Sequence, residues 1–149
     1  MKHQFEFAIA FSDTDAQGIV YHARYLDITE RARIVWFNKV VDYDEQFTSA
    51  SMLRDKRGFV VVDAHCRYHK SIKYAEKIIV ESTVSERSHR KLIVQHQFKS
   101  MDLKTLFHTQ TIVLVFVDLK ISKSIKMPEK LYKKFKHYCD NEQCKIDLL

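Results

Sequence analysis

Glycine and proline are scarce in this chain, which has 2 Gly and 1 Pro among its 149 residues. Such a composition argues against a loop-rich or disordered chain and predicts long regular elements joined by short polar turns. Long apolar runs are missing as well. The widest, Thr111 to Val117, is far shorter than the roughly twenty residues that span a bilayer. We therefore expect no stable membrane insertion.

Cysteine is also scarce, with Cys66, Cys139 and Cys144 as the three examples. The first residues lead straight into an alternating segment, without the apolar core of a signal peptide. An odd cysteine count without an export signal predicts free thiols in the cytoplasm rather than a Cys139–Cys144 disulfide. Neither cysteines nor histidines have the spacing of metal ligands, so we expect no metal and no cofactor. Four histidines are expected at the surface or as satisfied core residues: His65, His69, His96 and His108.

The chain carries a formal charge of +6 and has a pI of about 9.2. This excess suits an anionic partner such as a phosphorylated small molecule, nucleic acid or acidic lipid, and it also suits a plain solvated surface. The basic residues are scattered and no nucleic-acid motif accompanies them, which argues against nucleic acid. The length fits one domain, 1–149, with a real core.

Alternating apolar residues predict five strands. Short polar connections at 87–90 and 101–104 favour antiparallel pairing of consecutive strands. A single sheet layer leaves edges and apolar surface exposed, so we expect a homodimer or homotetramer. The predicted strands are 4–11, 59–68, 77–86, 91–100 and 105–118.

Between the first two strands the period changes to that of an amphipathic helix over 22–41, about 30 Å long. Asp27 with Glu30 resembles a capping box that would start this helix later, but we favour a start near His22. The stripe that predicts the helix consists of Tyr25, Ile28, Ala32, Val35, Trp36 and Val40. Residues 128–149 are predicted to form a C-terminal helix, over 129–138, and a tail. The expected class is α+β, with an antiparallel sheet of about five strands wrapped around one long central helix.

The segment 11–26 holds the most informative pattern, with Asp15, Gly18, His22 and Tyr25 in the order Asp-Thr-Asp-Ala-Gln-Gly-Ile-Val-Tyr-His-Ala-Arg-Tyr. This pattern, followed by Glu-Arg-Ala-Arg, resembles the 4-hydroxybenzoyl-CoA thioesterase family and, more closely, the Tol–Pal-associated acyl-CoA thioesterases. The resemblance covers about 4–135 and implies a hotdog fold. One departure is that Tyr74 stands where the family has a proline before the alanine, which leaves the shape of that loop open.

The resemblance implies hydrolysis of an acyl-CoA or acyl-carrier-protein thioester, with Asp15 as nucleophile or general base. It implies that the backbone N–H of His22, at the helix N-terminus, stabilises the oxyanion. The side chains of His22 and Tyr25 are further catalytic candidates, as an acid, base or orienting group and as a wall of the acyl pocket. Asp13 is expected to order the loop. The implied substrate contacts in this segment are Gly18, Val20 and Tyr21.

A second candidate region is the predicted turn His89-Arg90-Lys91, where the family carries a basic triplet that meets CoA phosphates. By that similarity Arg90 and Lys91 are candidate phosphate ligands; the alternative is an ordinary basic hairpin turn. Two other functions are alternatives for this chain. A hotdog hydratase or dehydratase needs a His and Glu pair that this chain lacks, and a non-catalytic module would bind acyl-CoA or acyl-carrier-protein without hydrolysis.

Overall fold

The computed structural model describes residues 1–41, 49–140 and Cys144. The predicted strands and helices are all present, with one short helix and one short strand in addition. Two single 3-10 turns lie at Phe11–Asp13 and Lys136–Tyr138. The elements are β1 His3–Ala8, α1 Arg24–Val41, α2 Ser49–Asp55, β2 Arg57–Tyr68, β3 Lys77–Arg87, β4 Lys91–Ser100, β5 Leu106–Asp118, β6 Lys123–Ser124 and α3 Glu129–Phe135.

The strands form one antiparallel sheet in the order β1-β3-β4-β5-β2, with β6 added to β5. The pairing of β3 with β4 and of β4 with β5 confirms the hairpins predicted from short connections. β2 instead crosses to the far edge and pairs with β5. The sheet curls around α1, and the α+β hotdog fold is confirmed.

α1 begins at Arg24, two residues after the predicted start and four before Ile28, where the helix would begin if Asp27 were the N-cap of a capping box. Asp27 lies inside the first turn, where its carboxylate accepts a hydrogen bond from Arg24 Nη1 at 2.9 Å. Most of the predicted apolar stripe faces the sheet and is buried. Val35 is the exception, at 40% exposed, because it lies about 100° around the helix from Trp36.

α3 confirms the predicted C-terminal helix and packs Leu131, Tyr132 and Phe135 against the core. Beyond it, the prediction of free thiols is wrong for two of the three cysteines, because Cys139 and Cys144 form a disulfide. Their Cα atoms lie 5.8 Å apart, a separation typical of such bonds. An odd count leaves one thiol free, here Cys66, and does not prevent the other two from pairing.

Two features of the described segments bear on partners and ligands. No helix there is long and apolar enough to cross a membrane. The same segments contain no group of three or more His, Cys, Asp or Glu side chains that could hold a metal ion.

Candidate active site

The connection between β1 and α1 is a small hairpin with Asp15 at its turn. Thr14 pairs with Val20 in an antiparallel bridge, and the Asp15 N–H donates to the Ile19 carbonyl at 2.9 Å. The Gly18 N–H donates to the Asp15 carbonyl at 3.0 Å. Gly18 closes this turn with φ +77°, a left-handed conformation that favours glycine. The glycine of the motif is therefore required by backbone geometry.

Asp13 orders the hairpin, as the sequence predicted. Its buried carboxylate accepts a hydrogen bond from the Ala10 N–H at 2.8 Å. Arg24 Nε lies 3.5 Å from the other carboxylate oxygen, and the Asp13 carbonyl accepts from the Tyr21 N–H at 3.0 Å. These contacts tie the start of the loop to the start of α1.

Asp15 uses one carboxylate oxygen for the turn and leaves the other open. Its Oδ1 accepts a hydrogen bond from the Gln17 N–H at 2.8 Å, the pattern of an Asx turn. Oδ2 receives no hydrogen bond from the residues that the structure describes. The side chain is half-buried, so its carboxylate is held in orientation while one oxygen can meet a substrate or a water.

His22 lies in the turn just ahead of α1, whose first helical residue is Arg24. The Arg24 N–H donates to the Tyr21 carbonyl at 2.9 Å, and the Leu26 N–H to the Ala23 carbonyl at 3.3 Å. Within the described chain the His22 N–H donates no hydrogen bond. An unpaired N–H beside the positive end of a helix dipole can stabilise negative charge. The exposed His22 ring contacts the Tyr21 ring, with centroids 4.3 Å apart.

Beneath His22 lies a cluster of four rings that we call the aromatic wall. Tyr68, at the end of β2, donates its hydroxyl to the His22 carbonyl at 2.7 Å. The Tyr25 centroid lies 4.2 Å from that of His108, 5.2 Å from Tyr68 and 5.3 Å from Phe98. The wall therefore joins three strands to the turn that carries the candidate oxyanion donor. Its members are Tyr25, Tyr68, Phe98 and His108.

Three members of the aromatic wall have shifted pKa values, and burial raises that of Tyr68. Burial raises the pKa of Tyr25 to about 12, which keeps its hydroxyl protonated. Burial, with a smaller contribution from His69, lowers the pKa of His108 to about 4. Neither ring nitrogen of His108 has a hydrogen-bond partner among the described residues, so the prediction of a satisfied core histidine is wrong here. His96 is satisfied only in part: its Nδ1 is bonded to Ser82 Oγ at 2.7 Å, and its Nε2 has no partner among the described residues.

Tyr74 replaces the expected proline and makes a contact that proline cannot make. Its N–H donates to the Gly18 carbonyl at 3.1 Å, whereas proline has no N–H. The Val20 N–H donates to the Ile72 carbonyl at 2.8 Å, and the Ala75 N–H to the Ile9 carbonyl at 3.1 Å. The departure from the family pattern thus fixes the hairpin against the loop that follows β2.

Most predicted site residues lie together at one end of the sheet: Asp15, Gly18, Val20, Tyr21, His22 and Tyr25. Arg90 and Lys91 do not join them. They follow β3, which starts beside Ala8 of β1 and runs away from the hairpin for 11 residues, about 35 Å of extended chain. The Arg90 Nη1 donates to the Ser124 carbonyl at 2.6 Å. Sequence reasoning missed the roles of Tyr68 and His108, which depend on the pairing of β2 with β5.

Comparison with known proteins identifies the family. Residues 9–135 match the model of the Thioesterase-like superfamily. The chain is 29% identical over 134 residues to the Haemophilus influenzae protein named acyl-CoA thioesterase YbgC, covering 89% of this chain and 93% of that protein. Because the family model spans most of the chain, this protein belongs to the Thioesterase-like superfamily.

Solved structures show the same fold at low identity. Slr0204 from Synechocystis, a 1,4-dihydroxy-2-naphthoyl-CoA thioesterase, matches with a TM-score of 0.79 at 14% identity, covering 91% of this chain and 96% of that one. SAV2348 from Staphylococcus aureus, solved in complex with CoA, matches with a TM-score of 0.80 at 14% identity, covering 93% of this chain and 84% of that one.

Proposed function

We propose that this protein is a thioesterase that hydrolyses an acyl-CoA to the free acid and CoA. One observation carries the proposal: the hairpin holds Asp15 at the same end of the sheet as His22, and among the described residues neither Asp15 Oδ2 nor the His22 N–H has a hydrogen-bond partner. Membership of the superfamily and the activity for which the Haemophilus influenzae relative is named support it.

Asp15 acts in one of two ways. As a nucleophile, its oxygen attacks the thioester carbonyl and expels the CoA thiolate, and water then hydrolyses the acyl-aspartyl anhydride. As a general base, it takes a proton from a water that attacks the carbonyl directly. Either route places negative charge on the carbonyl oxygen, and the His22 N–H is proposed to stabilise that charge.

Tyr25 and the loop residues take supporting roles in this proposal. Tyr25 is 3% exposed and sits against the aromatic wall, which suits a residue that shapes the acyl pocket below the carbonyl. The exposed rings of Tyr21 and His22 would meet the thiol side of the substrate, with His22 orienting it or assisting proton transfer. Val20 and Gly18 fix the hairpin through their backbone bonds.

The oligomer and the phosphate site belong to the same proposal. β2 is an open sheet edge with Val61 50% and Val62 58% exposed, and open apolar edges favour pairing with another chain. We propose a homodimer or homotetramer in which Arg90 and Lys91 of one subunit meet the CoA phosphates at the Asp15 of another. Light scattering that finds an active monomer at low micromolar concentration would overturn this.

One observation favours the non-catalytic alternative, in which the chain only binds acyl-CoA or acyl-carrier-protein. The bond from Gln17 to Asp15 Oδ1 is also what a purely structural turn residue makes. Acyl-CoAs from short to long, aliphatic and aromatic, assayed with a thiol-trapping reagent, decide between the two. Release of CoA from at least one of them supports the enzyme, and binding without release supports the module.

A further inference from the structure

The face of β2 that looks toward α1 is only partly covered. Ala64 is paired with Ile112 and Cys66 with Gln110, and directly opposed residues of a sheet point to the same side. Ile112 and Gln110 are buried, whereas Ala64 is exposed and Cys66 half-buried on the neighbouring strand. An open trough therefore runs along β2 beside α1, and its floor consists of Tyr68, Cys66, Ala64, Val61 and Phe59.

One end of this trough is the candidate active site, because Tyr68 bonds the His22 carbonyl. The other end opens into a cavity of about 800 Å³ between α1, α2 and β2. That volume lies within the range of small-molecule sites. Its lining is largely apolar and includes Phe37, Val41, Met52, Leu53, Phe59 and Val61.

Four charged residues also line the cavity: Glu30, Arg33 and the exposed Lys56 and Arg57. Glu30 and Arg33 lie three positions apart on α1, so they are neighbours on the helix surface. Burial lowers the pKa of Arg33, and Glu30 opposes that effect by its charge. The pair can balance its own charge while the long Arg33 stem adds apolar surface to the lining.

The dimensions fit a long alkyl chain. From His22 to Glu30, where the cavity begins, α1 rises about 12 Å, and from His22 to Phe37 about 22 Å. An extended acyl chain advances about 1.3 Å per carbon–carbon bond. A chain of eight carbons held at His22 would therefore stop short of the cavity, whereas one of sixteen carbons would occupy it.

We infer that the preferred substrates are long-chain aliphatic thioesters of about fourteen to eighteen carbons, whose tails lie in the trough and end in the cavity. This inference rests on the proposed thioesterase function and names its substrate class. The sulfur end lies at the hairpin and the methyl end beside Phe37, Phe59 and Met52. Each buried methylene strengthens binding by about fourfold, so catalytic efficiency should rise steeply once the chain is long enough to enter the cavity.

The test introduces a large side chain at each of two positions along the trough. Ala64→Phe fills it between the active site and the cavity, and Val61→Trp fills the cavity itself. His65→Phe is the matched control, because His65 is exposed on the opposite face of the same strand. Each variant is assayed for kcat/KM with butyryl-, octanoyl- and palmitoyl-CoA, and its mass is measured by light scattering.

Ala64→Phe should lower kcat/KM for palmitoyl-CoA about fiftyfold or more, since it excludes at least three methylenes, and leave butyryl-CoA within about threefold. Val61→Trp should leave kcat/KM for butyryl-CoA and octanoyl-CoA unchanged. His65→Phe should leave kcat/KM unchanged for all three acyl-CoAs. Binding of a fluorescent long-chain fatty acid to the Asp15→Asn protein should weaken with Ala64→Phe and not with His65→Phe.

Three results overturn the inference. The first is a parent protein that hydrolyses butyryl-CoA as efficiently as palmitoyl-CoA. The second is an Ala64→Phe protein that loses activity equally for all three acyl-CoAs. The third is an Ala64→Phe protein whose subunits dissociate, which would make the trough a subunit contact. The first leaves the thioesterase function standing. If the parent hydrolyses no thioester while the fatty acid still binds in the trough, the proposed function fails and the trough assignment survives.

Discussion

The Tyr68 hydroxyl donates a hydrogen bond to the His22 carbonyl at 2.7 Å, across 46 positions of sequence. This bond joins an edge strand to the turn that carries the candidate oxyanion donor. Tyr68→Phe should leave the ring packing of the aromatic wall intact and lower kcat about five- to tenfold, the effect of one hydrogen bond of about 1 kcal/mol. Tyr74→Phe, at an exposed tyrosine, is the control. An unchanged kcat in Tyr68→Phe would show that this hydrogen bond does not contribute to catalysis.

The two carboxylates of the hairpin should respond differently to amide substitution. Asp15→Asn keeps an oxygen for the Gln17 N–H but removes the charge that attacks or activates water. We expect kcat to fall about a hundredfold or more, about 3 kcal/mol of barrier, with an unchanged fold. Circular dichroism and steady-state kinetics measure both quantities.

Asp13→Asn should act mainly on loop order, because Asp13 binds the Ala10 N–H and lies beside Arg24. We expect a lower melting temperature and a smaller loss of kcat than in Asp15→Asn. The opposite ranking, with Asp13→Asn inactive and Asp15→Asn near normal, would show that the chemistry is assigned to the wrong carboxylate.

The basic turn should affect substrate binding and not the chemical step. Arg90→Ala combined with Lys91→Ala should raise KM for acyl-CoA and spare kcat, because phosphate contacts bind ground state and transition state alike. The increase in KM should be smaller with a pantetheine thioester, because that substrate has no nucleotide.

A subunit-mixing experiment tests whether these residues act between chains. Hybrids are formed from one Asp15→Asn chain and one Arg90→Ala/Lys91→Ala chain. If the phosphate site lies on the other subunit, the hybrid contains one intact site and regains the parent KM. If both parts of the site lie on one chain, no site is intact and KM stays high.

Buried histidines should make the fold sensitive to mild acid. Burial is the main cause of pKa values of about 3 for His96 and about 4 for His3 and His108. The unfolded chain has histidine pKa values near 6.5 and thus binds more protons below that pH. The free energy of unfolding should therefore fall as the pH drops from about 6.5 towards 4.

His108→Phe tests one member of this group within an aromatic environment. Urea unfolding at pH 7 and pH 5 should show about 2 kcal/mol less acid destabilisation in this variant than in the parent. His65→Gln, at an exposed histidine, should leave the difference unchanged. An equal acid response in His108→Phe and the parent would mean that His108 titrates normally in the folded protein.

The spacing of apolar residues was sufficient to predict the strands and α1, because alternation and helical periodicity are properties of a single segment of sequence. It was insufficient for the pairing of β2 with β5, which depends on packing between distant segments. The contacts of Tyr68 and His108 were missed for that reason. The hairpin motif identified Asp15 and Gly18, while the start of α1 at Arg24 depends on the Tyr21 turn, which has no sequence signal of its own.

β2 is at once an open edge, the floor of the trough and the strand that ends in Tyr68. Whatever pairs with this edge is mechanically connected, through Tyr68, to the peptide that follows His22. If two chains associate along β2, dilution below the dissociation constant would loosen that peptide as it separates the chains. Specific activity would then depend on protein concentration, and the enzyme would work best where its own abundance is high.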